Sequence, residues 1–125
     1  MNGEQIVTLF FLPLEDRPKH FSPLKNFKGK FWHTGIIKNN EEIYECFNFG
    51  MWSISGVAKL KNDEFKNAVY IKARIKGEKL LSELKSGTDC AEYVARCTGI
   101  SKLKGNNKGE LYPEDVFNLL KEGEE

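Results

Sequence analysis

Cys90 is the side chain in this sequence best placed to do chemistry. It stands in the run Ser86-Gly87-Thr88-Asp89-Cys90-Ala91-Glu92-Tyr93-Val94, where turn-forming residues give way to a helical pattern. Asp89 is suited to cap that helix, and Glu92, three residues on, completes a box-like signature. Cys90 then falls in the first helical turn, where unpaired backbone N–H groups and the positive end of the helix dipole favour a thiolate. A thiol becomes a nucleophile when an imidazole can take its proton, and the chain has two histidines. His33 lies in Phe31-Trp32-His33-Thr34-Gly35-Ile36-Ile37, a strand pattern that holds geometry firmly. His20 lies between Lys19 and Phe21 in a proline-rich connection, a poorer place for a base.

A third polar group follows from the hairpin after His33. Asn39 and Asn40 tolerate the left-handed conformation that turns need. If Lys38, Asn39 and Asn40 form the loop, Ile37 faces Glu41 and His33 lies directly opposite Glu45, with Cβ atoms about 4.5–5.5 Å apart. A carboxylate there accepts the imidazole N–H and fixes its tautomer. With a two-residue Asn39-Asn40 turn, the register shifts by one and His33 faces Cys46 instead. Glu42 falls on the opposite face from Glu45 in either register.

These residues must be positioned by strands in the front half and helices in the back. Gln5 to Leu12 is an apolar run suited to a buried strand. Phe31 to Ile37, Glu41 to Phe49, Trp52 to Lys59 and Ala68 to Lys76 read as four more. In the last, Val69, Ile71, Ala73 and Ile75 alternate with Tyr70, Lys72, Arg74 and Lys76. Between the first two strands, Pro13 to Lys30 holds three of the four prolines and reads as irregular. Gly77 to Lys85 carries Leu80, Leu81 and Leu84 at helical spacing. The helix begun at Asp89 stops near Thr98-Gly99. Tyr112-Pro113-Glu114-Asp115 opens a last helix. The expected architecture is α+β: one domain over 1–125, strand-rich over 5–76 and helical over 77–122, with about five antiparallel strands packed against helices.

Composition narrows the chemistry. A chain of 125 residues with net charge +1 suits a single core and gives no general attraction to nucleic acid or anionic membranes. No apolar run approaches the roughly 20 residues that span a bilayer, and the start lacks the basic region of a signal peptide. Three cysteines cannot all pair within the chain, which favours free thiols in a reducing, cytoplasmic setting (a host cytoplasm for a phage-encoded protein). No Cys-x-x-Cys spacing supports a zinc site, and no metal or organic cofactor is expected. Cys46 and Cys97 read most simply as core residues.

The pattern His33-Thr34-Gly35-Ile36, Glu45 in the next strand and Asp89-Cys90-Ala91-Glu92-Tyr93-Val94 at a helix start resembles the circularly permuted papain-like group. That group includes permuted NlpC-type peptidases and lecithin:retinol acyltransferase-like proteins. The likeness covers the order of elements from about Gln5 to Gly99. It implies a papain-like sheet-and-helix fold with Cys90 as nucleophile, His33 as general base and acid, and Glu45 as orienter. It also implies the Cys90 backbone N–H as an oxyanion donor. The histidine precedes the cysteine, the reverse of ordinary papain, and Glu45 stands where the acyltransferase branch often has a histidine.

The function expected is cysteine-dependent hydrolysis of an amide or ester, with a peptide, isopeptide, peptidoglycan fragment or lipid ester as substrate; a second acyl acceptor would make it a transferase. Trp32, Trp52 and Tyr93 are the candidate substrate-binding residues. The alternative is a catalytically silent module on the same fold, engaging a protein partner through the basic 17–30 loop that carries Arg17, Lys19, Lys25, Lys28 and Lys30.

Overall fold

Alternation of apolar and polar residues builds the sheet. In β5 (Val69–Lys76), Ile71 and Ile75 are buried while Lys72, Arg74 and Lys76 are exposed, as a strand with one covered face requires. β1 (Glu4–Pro13) is apolar on both faces over its middle, since Leu9 and Phe11 enter one core and Phe10 another. With β2 (Phe31–Lys38), β3 (Glu42–Asn48) and β4 (Ser53–Lys59), these form one antiparallel sheet in the order β4-β3-β2-β1-β5. The computed structural model describes residues 3–16, 30–48, 53–61, 65–84, 89–100 and 112–123.

Among the described residues, three α-helices follow the strands: α1 (Lys79–Ser82), α2 (Cys90–Thr98) and α3 (Pro113–Gly123). The protein is therefore α+β, with a five-stranded antiparallel sheet. α2 packs on β2, β3 and β5, and α3 packs on α2 and β2. The main core joins Val7, Leu9, Phe11, Ile36 and Tyr44 from the sheet to Leu80, Val94 and Val116 from the helices. A smaller cluster of Phe10, Ile37 and Ile43 lies apart from it, covered by Leu12, Leu60, Phe65 and Ala68. Among the described residues no helix is long and apolar enough to cross a membrane.

The helix ends follow the local chemistry. Asp89 accepts the Glu92 backbone N–H at 2.8 Å, which satisfies one of the open donors of the first turn. Gly99 closes α2 at φ 81°, a left-handed position that glycine takes without strain. Pro113 begins α3, and Asp115 accepts the Tyr112 N–H at 2.9 Å. The helix expected over Gly77 to Lys85 is reduced to the single turn of α1. Gly77 is still tied to Gly3 by a backbone hydrogen bond of 2.9 Å, and the start of α1 has no side-chain cap.

Two irregularities bear on the site. Between β1 and β2 the register runs Leu12↔His33 and then Pro13↔Phe31, so Trp32 is an extra residue in a bulge. Phe31 is thereby set beside Phe11 and Phe117, at ring distances of 5.5 and 5.1 Å. The β2–β3 hairpin departs from both registers that the sequence suggested. Asn39 and Asn40 are left-handed as expected, with φ of 55° and 58°, and Glu41 N–H closes onto the Lys38 carbonyl at 3.0 Å. The Glu41 carbonyl is taken by Leu60 N–H at 2.7 Å, and pairing resumes at Lys38↔Glu42. The loop is Asn39-Asn40-Glu41, so Ile37 faces Ile43 rather than Glu41.

Candidate functional site

The shift moves Glu45 along its strand but keeps it on the right face. Carried past Ile36↔Tyr44, the observed register sets Glu45 level with Gly35, two residues from His33 and on the same side. Diagonal neighbours of this kind remain within reach of a long side chain. His33 Nε2 and Glu45 Oε1 are 2.7 Å apart, so the pair forms diagonally rather than face to face. A carboxylate only accepts, so Nε2 carries the proton it shares with Glu45.

His33 is held on several sides. The residue is buried, with Trp32 stacked on its ring at 5.2 Å and 29° between planes. Phe10 approaches at 5.8 Å. Phe10 reaches this position because residue 35 is glycine: a Cβ there would lie 2.6 Å from the Phe10 ring and 2.9 Å from the Tyr44 carbonyl oxygen. The imidazole is thus held by aromatic packing and by a hydrogen bond to a carboxylate.

Cys90 comes from the helix-covered side. It is the first residue of α2, and the backbone N–H groups of Thr34 and Ala91 act on its thiol in the sense that favours the thiolate. A strand N–H lies in the plane of its sheet. β1 occupies one flank of β2 through the Phe11↔Thr34 pair, and β2–β3 pairing extends only to Ile36↔Tyr44. α2 packs over β2 and β3 on the face of Ile36, while His33 lies against Phe10 of the smaller cluster. The His33–Glu45 contact bridges the same two strands.

The electrostatics correct one expectation. A first-turn position was expected to favour the thiolate, yet burial, reinforced by Asp89, pushes the Cys90 thiol from 9.0 up to about 12. The Thr34 and Ala91 N–H groups act in the opposite sense and offset only part of this. Desolvation outweighs the helix start here. Burial therefore favours the neutral Cys90 thiol over its thiolate.

The other candidates fall in different places. Tyr93 is fully buried, and its hydroxyl donates to the Leu80 carbonyl at 2.8 Å. It is a core residue and not a substrate contact. Trp32 is buried against His33, a supporting position rather than a cleft wall. Trp52 and His20 lie outside the described residues, as do positions 17–29 of the basic connection. Cys46 and Cys97 are buried in the main core, as read from the sequence. Among the described residues, no group of three or more His, Cys, Asp or Glu side chains is arranged to hold a metal ion.

Sequence reasoning gave no role to Phe10, and took Thr34 and Gly35 only as part of the His33-Thr34-Gly35-Ile36 pattern. Thr34 shares the core-facing side of β2 with Ile36 and is fully buried. A hydroxyl amid apolar neighbours on a buried face was the signal available. Comparison with known proteins finds no matching family model, no matching curated protein and no matching solved structure.

Proposed function

We propose that this chain is a cysteine-dependent hydrolase of amide or ester bonds, built on the circularly permuted papain-like plan. The observation that carries the reading is the 2.7 Å His33–Glu45 contact, made between the two strands on which the helix of Cys90 packs. Glu45 holds the Nε2 proton, which fixes the tautomer and keeps the ring oriented. As the Cys90 sulfur attacks a carbonyl carbon, its proton passes to His33. The oxygen of the tetrahedral intermediate is met by the Cys90 backbone N–H at the start of α2. His33 then protonates the leaving amine or alcohol, and a thioester remains on Cys90. Water, deprotonated by His33, releases the acid and restores the thiol.

The substrate class this chemistry admits is an acyl compound: a peptide, an isopeptide or a lipid ester. The raised thiol fits a mechanism in which deprotonation accompanies attack, rather than one that starts from a standing thiolate–imidazolium pair. The test is iodoacetamide labelling of the native protein, resolved by peptide mapping. Cys90 is expected to react faster than Cys46 and Cys97, and His33→Ala is expected to remove that advantage. Equal labelling of all three thiols, or a Cys90 rate indifferent to His33→Ala in a folded variant, overturns the reading.

A further inference from the structure

Among the described residues the sheet ends in β4 on one side and β5 on the other, and the two edges are built differently. β4 carries one charged residue, Lys59 at its end. β5 carries Lys72, Arg74 and Lys76, all exposed. At every second position these three share the face away from the helices, their Cα atoms about 6.5–7 Å apart. Glu4, paired with Lys76 and 4.0 Å from Arg74, offsets one of the three charges. The other face of the same strand is apolar: Ile71 and Ile75 are buried, and Val69 stays exposed. At Val69 lies a hollow of about 660 Å³, lined also by Leu14, Phe31 and Phe117, with Glu15 and Lys30 in its walls. β1 takes one flank of β5. The other flank is a row of backbone N–H and C=O groups with no neighbouring strand among the described residues.

We propose that β5 is a docking edge for an extended segment of another protein, which joins the sheet as a further strand and carries acidic residues at alternate positions. An added strand satisfies the open backbone groups, and its side chains fall alternately on the two faces. On the face away from the helices its acids stand beside Lys72, Arg74 and Lys76, where cross-strand pairs of opposite charge stabilise. On the helix side its intervening residues run past Val69, and an apolar one there enters the hollow that Phe31 and Phe117 line. Charge also decides against a second copy of this chain. Two β5 strands paired antiparallel around Arg74 would set lysine against lysine and arginine against arginine, and like charges directly opposite destabilise. The charges that keep β5 from pairing with itself thus select its partner. β1 separates β5 from β2, so the docking edge does not depend on the reading of Cys90 and His33.

The test titrates two capped octapeptides into the native protein, one alternating glutamate with valine and the other lysine with valine. Each carries a neutral dye for fluorescence anisotropy, and amide hydrogen exchange locates the contact. The glutamate peptide is expected to bind, to slow exchange at amides of β5 and to leave β4 unchanged; the lysine peptide is expected not to bind. Lys72→Gln, Arg74→Gln and Lys76→Gln combined should weaken the glutamate peptide by about tenfold. These side chains are exposed, and a thermal melt checks the fold. If the triple variant does not fold, Arg74→Gln alone takes its place, with a loss of about twofold. The glutamate peptide N-methylated along its backbone should not bind, since it has no N–H groups to offer the edge. Equal binding of the two peptides, full affinity of the N-methylated peptide or of the glutamine variant, or protection at β4 in place of β5 overturns the proposal. Failure of the glutamate peptide to bind at millimolar concentration overturns it as well, as does a dimer joined through β5 when no peptide is present.

Discussion

α2 carries a thiol near each end, and the two ends differ in almost everything except acidity. Burial pushes both Cys90 and Cys97 up to about 12. Around Cys97 the contacts are those of a core: its sulfur lies 3.6 Å from the Lys79 carbonyl oxygen, and Tyr93, one turn earlier, ties α2 to Leu80. Around Cys90 the backbone N–H groups of Thr34 and Ala91 favour the thiolate, and the capping Asp89 opposes it. Cys90 is also half-buried where Cys97 is buried. On the proposed reading, the reactive end of this helix is set by the neighbours of the thiol and not by its acidity.

Each variant below should move one end of the helix and leave the other. The largest effect belongs to Glu45→Ala, which frees the His33 ring from its fixed tautomer. It should slow His33-dependent labelling of Cys90 by about 10–100-fold, the range for groups that orient a functional imidazole, with Cys97 unchanged. A smaller loss would mean that Trp32 and Phe10 orient the ring without help. Asp89→Asn should act in the opposite direction and more weakly. Asparagine caps a helix about as well as aspartate, but the negative charge that raises the Cys90 thiol is gone. More thiolate is then present at each pH, so labelling at pH 8 should rise by about two- to fivefold. Asp89 is not among the groups that raise Cys97, so the Cys97 rate should stay constant. Faster labelling at both ends would point to loosening of α2 rather than to local charge.

Much of this arrangement was legible in the sequence, and the exceptions share a cause. Alternation in β5, the Asp89 cap and the Gly99 stop are short-range signals, and the elements fall within a residue or two of where those signals put them. The common face of His33 and Glu45 also survived, because a shift by two residues preserves the side of the sheet. The register itself did not. It depends on Glu41, whose carbonyl is claimed by Leu60, a residue nineteen positions away that no hairpin rule considers. The Trp32 bulge likewise depends on how β1 lies against β2. Tyr93 was misjudged because a buried tyrosine needs a distant acceptor, here the Leu80 carbonyl. The Cys90 thiol was misjudged because desolvation belongs to the packed core and not to the helix start.

The central claim is that Cys90 and His33 act as one catalytic unit, and acyl transfer from p-nitrophenyl acetate tests it most directly. Mass spectrometry of the rapidly quenched protein should place the acetyl group on Cys90 rather than on Cys46 or Cys97. The burst of p-nitrophenol should vanish in Cys90→Ala and fall by about 10²–10⁴-fold in His33→Ala. Acetyl groups spread over the three cysteines, or a burst of native size in folded His33→Ala, would contradict it.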